Sequence, residues 1–298
     1  MSAPFFSVIV PTYNRPEHLA GCLQSLSRLD YPQRGFEVIV VDDGSRAAPE
    51  EICSALADHL DIKLLEQPHA GPAAARNAGS LRARGDFLVF TDDDCRPRAD
   101  WLRHMQVRCL ATPDRIIGGR TLNLLENNSF SRTSQLIVDT VYDYYNCGSD
   151  GPQFFASNNL VVPAVAFHRL GGFNTDFITA EDRDLCDRWL YHGYRMTYAP
   201  EAVVYHAHSL SLRSFYQQHF NYGRGAFRFH QARIRRGSGA FKPDLRFYLR
   251  CFRAPLRQGR RHPTVLAMLV LWQVANAAGF LVEWMAQKAA KNRIAETT

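Results

Sequence analysis

The sequence predicts an α/β fold with a mainly parallel central sheet and a basic, helical C-terminal extension. Three observations carry that reading. In the first two thirds of the chain, short β-branched and aromatic runs alternate with segments of helical spacing, the pattern of a sheet covered by helices on both faces. Two of the runs, Val38-Ile39-Val40-Val41 and Phe87-Leu88-Val89-Phe90, stop at consecutive aspartates. From residue 201 onward the charge turns positive, with 16 Lys and Arg against 4 Asp and Glu, compared with 19 against 25 before it.

A chain of 298 residues with 46% hydrophobic content can bury a full core. Its seven cysteines, at 22, 53, 95, 109, 147, 186 and 251, are odd in number and form no C-x-x-C pair. They read as reduced thiols in a cytosolic setting rather than as a zinc or redox motif. The N-terminus enters a strand without a basic region and a long apolar stretch, which argues against secretion.

The first strand is Phe5-Phe6-Ser7-Val8-Ile9-Val10, ending at Pro11-Thr12-Tyr13-Asn14, and Leu19, Cys22, Leu23 and Leu26 space a helix over 15–29. A second strand over 36–41 ends at Asp42-Asp43 and the turn residues Gly44-Ser45. A helix over 49–60 and a short strand over 62–65 complete that unit. Gly71-Pro72 opens an alanine-rich helix, Pro being favoured at the first helical position, and its small side chains permit close approach to a sheet or ligand. The strand over 86–90 follows, then a helix over 98–110 and a strand over 115–118. Regularity fades between 120 and 151, where loop and one helix are expected. Strand character returns over 154–163. Residues 179–193 read as a helix with Glu181 and Asp182 in its first turn and Gly193 as its stop. Two short strands, 195–199 and 202–205, lead to His206-Ala207-His208, and 209–236 is helical with aromatic and basic residues interleaved.

Asp92-Asp93-Asp94 crowds three carboxylates at a strand end. Such a cluster is costly unless a cation or donor groups neutralise it, and a hard divalent metal does so economically. An acidic turn capping the next helix is the plainer alternative. Asp42-Asp43 ends a second strand in the same way, and the carboxyl ends of parallel strands are where an open α/β sheet holds its ligand. Glu181 and Asp182 also suit the helix dipole, so one of them can be purely structural.

Five blocks resemble the family 2 inverting glycosyltransferases: Ser7-Val8-Ile9-Val10-Pro11-Thr12-Tyr13-Asn14, Val41-Asp42-Asp43-Gly44-Ser45, Ala75-Arg76-Asn77-Ala78-Gly79, Asp92-Asp93-Asp94 and Glu181-Asp182-Arg183-Asp184-Leu185. They occur in that family's order over residues 5 to about 210. The resemblance implies a Rossmann-like GT-A type fold and a nucleotide-diphosphate sugar donor. It implies that Pro11, Thr12 and Tyr13 line the base and that Asp42, rather than Asp43, bonds its edge. Arg76 would help place the nucleotide and Asp92 would reach the ribose, with the role of Asp93 open. Asp94 would hold Mg²⁺ or Mn²⁺ on the diphosphate, with His206 as a second ligand and His208 as its alternative. Asp182 matches the family's base, and Glu181 is the neighbour that binds the acceptor instead. Asn158 and Asn159 either face the sugar or cap a strand. No Gln-x-x-Arg-Trp motif accompanies Arg188-Trp189, which disfavours a processive polymerase.

The expected organisation is a catalytic domain over 1–210, with a nucleotide half over 1–118 and an acceptor half over 119–210, and a basic extension over 211–298. Residues 265–282 are apolar but for Gln273 and Asn276. At 18 residues and ~1.5 Å rise this run just reaches across a bilayer. Arginines at 246, 250, 253, 257, 260 and 261 precede it, as on a cytoplasmic flank. Membrane association, spanning or interfacial, at the inner face of the cell membrane is therefore expected, and a buried or dimer-forming helix is the alternative. The acceptor implied is a glycan or a lipid-linked sugar. No G-x-G-x-x-G or G-x-x-x-x-G-K-[ST] loop follows a strand, which disfavours nicotinamide and ATP enzymes. Nucleic-acid binding by the basic aromatic tail, or a binding protein on the same fold, is the competing class. The apolar run favours a membrane over nucleic acid.

Overall fold

The structure, a computed structural model, describes residues 3–148, 151–240, 244–257 and 263–297, with backbone alone at 256–257 and 291–297. Arg260 and Arg261 lie outside the described residues. The chain divides into two compact units. The first takes residues up to Leu125, Tyr145–Asp176 and Glu181–His208, and the second takes Glu126–Tyr144, Phe177–Ala180 and the chain from Ser209 onward.

The first unit begins with β1 (Phe6–Thr12), all of whose seven residues are buried, and α1 (Pro16–Leu26), which turns Leu19, Cys22, Leu23 and Leu26 inward. Next come β2 (Phe36–Asp42), α2 (Glu50–Ser54), β3 (Ile62–Glu66) and α3 (Pro72–Ser80). α2 is shorter than its predicted 49–60: residues 55–59 continue as turns that still deliver Leu56 and Leu60 to the core. α3 lies close on the sheet: a Cβ on Gly79 would come 2.6 Å from the Ile9 side chain.

β4 (Phe87–Phe90) is followed by a three-residue strand, β5 (Cys95–Pro97), where the sequence led us to expect a helix start. β5 is an edge strand, the position where a Pro without an N–H is tolerated. α4 (Trp101–Ala111) and β6 (Ile116–Asn123) follow, then α5 (Ser129–Asn146), a 3-10 turn at Ser157–Asn159, β7 (Leu160–Pro163), α6 (Ala164–Arg169) and α7 (Glu181–Tyr191). Of the predicted strand over 154–163 only Leu160–Pro163 is strand, and the turn at Ser157–Asn159 directs the Asn159 side chain into the interior. The two predicted short strands form one, β8 (Met196–His206). A register shift opposite Gly119 and Arg120 accommodates Pro200 to Ala202, so the pairing resumes after the proline.

Sheet order is β3-β2-β1-β4-β7-β6-β8-β5. β1 pairs in parallel with both β2 and β4, so the chain leaves β1 in opposite directions and creates a crevice at its carboxyl end. β7 runs antiparallel to β4 and β6, and β8 runs parallel to β6. β5 lies antiparallel to β8, with Cys95 opposite His206. A core of Phe6, Val8, Val38, Val40, Val89 and Trp101 packs one face of this sheet.

In the second unit, α8 (Leu212–Arg236) opens with a capping box in which Ser211 and Ser214 exchange side-chain and backbone bonds, and ends at the left-handed Gly237. α9 (Leu245–Arg257) falls in the extension expected to be helical, where the sequence delimits no separate helix. α10 (Pro263–Thr297) extends well beyond the apolar run, because the Ala, Gln and Lys residues that follow are good helix formers. Phe215, Cys251, Met268, Leu269 and Trp272 form this unit's own core. The Pro263–Ala290 stretch is long and apolar enough to cross a membrane by length and composition.

Candidate functional site

The acidic strand end distributes its three carboxylates to three surroundings. Asp93 points inward, accepting from Thr12 Oγ1 at 2.9 Å and pairing with Arg15 Nη1 at 2.9 Å. Burial pushes its carboxyl up to about 7, more than Arg15 pulls it down. Asp94 holds Arg15 Nη2 at 2.6 Å on one oxygen and His206 Nε2 at 3.1 Å on the other. Burial alone would raise it, but His206 and Arg15 outweigh that cost and hold it below the usual carboxylate range. Asp92 is the most open of the three, with 29% of its side chain exposed against 3% and 7% for its neighbours.

The meeting of Asp94 with His206 is a product of topology. β5 pairs with β8 so that Cys95 faces His206, and the Ala207 N–H donates to the Asp94 carbonyl at 2.8 Å. Asp94, Cys95 and His206 bring one donor atom each within 4.8 Å of one another. The carboxylate oxygen suits Mg²⁺ or Mn²⁺ and the imidazole suits Mn²⁺ better than the oxygen-seeking Mg²⁺, whereas the buried Cys95 sulfur is a soft donor suited to other metals. His208 lies beside His206 with ring centroids 4.9 Å apart and planes tilted by 41°, and burial together with His206 lowers it to about 4. Burial also lowers the His206 imidazole, but Asp94 overcomes it and raises the group.

Arg76 joins this strand end to α7. Its side chain, 4% exposed, places Nη2 2.6 Å from Asp92 Oδ1 and Nη1 2.9 Å from Glu181 Oε1. A buried guanidinium between two carboxylates is held charged despite its desolvation. Glu181 is buried, and that burial, with Asp182 beside it, raises its carboxyl to about 7. Asp182 is half-buried, its Oδ1 accepts from the Arg183 N–H at 2.7 Å, and burial raises its carboxyl as well. Directly before the pair, Ala180 has φ 74, a left-handed conformation that a Cβ disfavours. Strain of this kind persists where the surrounding structure imposes it, as at sites that aim particular side chains.

Asp42 and Asp43 look alike in sequence and differ in the fold. Asp42 accepts from the Ser45 N–H at 3.3 and 3.2 Å and closes the turn after β2. Asp43 accepts from Gln67 Nε2 at 2.6 Å and from the Ala70 and Gly71 N–H groups at 2.9 and 2.8 Å. It thereby fixes the loop that enters α3, and His69 Nδ1 lies 2.9 Å from it. Tyr13, 42% exposed, stacks on His69 with centroids 4.2 Å apart. Pro11 and Thr12 are buried at the end of β1, in register with Val41 and Asp42.

Some of the residues named from sequence have structural occupations. Asn159 is fully buried, accepting from Trp101 Nε1 at 2.9 Å and donating to the Arg120 and Ala202 carbonyls, both at 3.0 Å. Asn158 accepts from Thr121 Oγ1 at 3.2 Å. Arg188 spans Asp184 and the Leu170 and Gly172 carbonyls, and Trp189 donates to the Arg195 carbonyl. Arg15 and His69 were missed in the sequence. Arg15 carried a signal, being the first cation after the Pro11-Thr12-Tyr13-Asn14 loop in a chain whose next strand ends were acidic. His69 carried none, since its partners come from two other loops.

The family model Glycosyl transferase family 2 matches residues 7–168. The Pre-mycofactocin glycosyltransferase of Mycobacterium tuberculosis is 32% identical over 230 residues, covering 74% of this chain and 46% of that protein. The chain therefore spans about half the length of that relative. Glycosyltransferase AglE of Haloferax volcanii is 31% identical over 207 residues, covering 68% of this chain and 67% of that protein. Among solved structures, the mannosyltransferase PcManGT from Pyrobaculum calidifontis, in complex with GDP-Man and Mn²⁺, aligns with a TM-score of 0.62 at 22% identity. That alignment covers 97% of this chain and 81% of that one, and it shows a shared GT-A fold.

Proposed function

The chain belongs to glycosyl transferase family 2, and from that premise we propose that it transfers a sugar from a nucleotide-diphosphate donor to an acceptor hydroxyl by one inverting displacement. The observation that supports this most is the Arg76 bridge, which links Asp92 at the acidic strand end to Glu181 beside Asp182. The bridge fixes a donor side and an acceptor side against each other.

In this reading Pro11, Thr12, Tyr13, Asp42, Asp43, Arg76, Asp92 and Asp93 form the nucleotide side. Asp43 acts by holding the 67–71 loop, and Tyr13 stacked on His69 offers an aromatic face to a base. Thr12 and Arg15 keep Asp93 oriented inward, which leaves the more open Asp92 for a ribose hydroxyl. Asp94 and His206 are the groups that would hold a divalent cation. When bound, such a cation neutralises charge that develops on the departing diphosphate. Asp182 takes the proton of the acceptor hydroxyl, and the burial that raises its carboxyl makes it a better base once ionised. Glu181 contacts the acceptor or holds Arg76. Single displacement from the face opposite the leaving group inverts the anomeric carbon.

The acceptor is a glycan or a lipid-linked sugar. The catalytic domain spans residues 1–210, with its nucleotide half over 1–118 and its acceptor half over 119–210. The basic extension over 211–298 associates the enzyme with an anionic membrane at the cytoplasmic face. Asp182→Asn tests the central assignment. Transfer should fall at least about a thousandfold, while titration calorimetry should give donor affinity within about twofold of the parent. A variant that still transfers at the parental rate would require another base. Which nucleotide sugar is the donor is decided by screening donor hydrolysis across a panel with Mn²⁺ present.

A further inference from the structure

The α10 helix is apolar on two opposite sides. Its inner stripe includes Met268, Leu269, Trp272 and Ala275, each at most 6% exposed, while its outer stripe leaves Val270, Val274, Leu281 and Met285 at 52–54% exposure. Spaced at four, seven and four residues, the outer positions share one face. Length and composition alone would let this helix cross a bilayer.

What grips the inner side argues otherwise. A Cβ on Gly223 would sit 2.0 Å from the Asn276 carbonyl oxygen, and one on Gly279 would sit 1.9 Å from that of Phe220. α8 and α10 therefore cross backbone to backbone. One and two turns beyond Phe220 on α8, Arg224 and Arg228 place Nε 2.9 and 2.8 Å from the two oxygens of Glu283, which is only 4% exposed. A transverse α10 would draw this section of α8, with Gln217, Asn221 and both arginines, into hydrocarbon beside Glu283. Charged groups at that depth are strongly disfavoured. With α10 lying in the plane of the interface, its outer stripe enters the acyl boundary while α8 and the Glu283 cluster remain on the aqueous side.

α9 supplies the second signal such a contact requires. Leu245 and Leu249 are 73% and 55% exposed along one side, and Arg246, Arg250 and Arg253 follow the adjacent side. Arginines beside an apolar stripe match an anionic bilayer surface in charge and in depth.

We propose that α9 and α10 form a monotopic membrane-docking surface that lies in the interface of an anionic bilayer and does not span it. The inference rests on the membrane reading of the extension given above. Its test uses the full chain carrying Cys147→Ser, since Cys147 is the exposed cysteine among the described residues. Leu266→Cys, Val274→Cys and Met285→Cys are each labelled with an environment-sensitive fluorophore. Vesicles of phosphatidylcholine alone, or mixed with phosphatidylglycerol, carry nitroxides at shallow or deep acyl positions. Docking in the plane gives shallow quenching at all three sites on the anionic vesicles, with binding at least about tenfold weaker on the neutral ones. Deep quenching at Val274 with shallow quenching at the two ends overturns the in-plane placement and leaves the membrane reading standing. Absence of binding to both vesicles overturns both. A lipid-independent, concentration-dependent blue shift assigns the stripe to a second copy of the chain and also overturns the proposal.

Discussion

Replacing Glu181 with glutamine removes a charge that burial disfavours, and the resulting gain in stability depends on pH in a calculable way. Burial and Asp182 raise the Glu181 carboxyl to about 7 from 4.5, with the opposing pull of Arg76 already included. A carboxyl whose folded value is raised contributes its stability fully below the unfolded value. The contribution is lost as pH climbs through the folded one, because the unfolded chain then holds fewer protons. The displacement is worth ~3 kcal/mol. Glutamine keeps an oxygen to accept from Arg76, which also retains Asp92 at 2.6 Å. The variant should therefore match the parent near pH 4.5 and exceed it by up to ~3 kcal/mol at pH 8, or ~5 °C in Tm for a chain of this size. Calorimetric unfolding in chelator from pH 4.5 to 8 measures the difference. A gain that is the same at every pH, or a variant less stable than the parent at pH 8, would refute the account of Glu181 as a buried, costly anion.

Other side chains give contrasting signatures. Arg15→Gln frees Asp93 and Asp94 from a half-exposed cation, so Mn²⁺ should bind up to about fivefold more tightly without donor, by titration calorimetry. Asp94→Asn should weaken Mn²⁺ binding at least about tenfold, and metal-dependent nucleotide-sugar binding with it, and undiminished affinity would remove Asp94 from the metal assignment. Arg188→Met removes the guanidinium 2.7 Å from the buried Asp184 carboxylate, and should cost ~3 kcal/mol in thermal unfolding with no change in nucleotide affinity.

What was legible in the sequence follows the range of the forces involved. β1, β2 and α1 are set by local periodicity, and the residues named from that pattern, Val8, Val38, Leu19 and Leu23 among them, are buried. α7 was legible too, because the acids of its first turn and Gly193 mark its ends locally. β5 was not: three residues carry no period, and their strand character comes from pairing with β8 more than a hundred positions away. The bounds of α9 within the helical extension were not legible for a related reason, since arginines among aromatics mark no helix end until Cys251 finds its core.

The candidate site divides along the same line. Residue types at strand ends were enough to single out Asp42, Asp43, Asp92, Asp93 and Asp94, because acids ending buried strands need a local reason. The partition of labour among them was not in the sequence, because it depends on which donors arrive from elsewhere. Asp43 is spoken for by the 67–71 loop, Asp93 by Thr12 and Arg15, and Asp92 by Arg76 with a side chain still partly open. Adjacent aspartates of equal chemistry thus become unequal through long-range hydrogen bonds. Arg76 is the extreme case: the resemblance names it as a nucleotide-placing residue, and only the fold reveals its two carboxylate partners, sixteen and one hundred and five residues away. Its partners lie at opposite ends of the proposed reaction, so its substitution should disturb donor and acceptor sides together, whereas loss of Asp94 or of Asp182 should disturb one side alone.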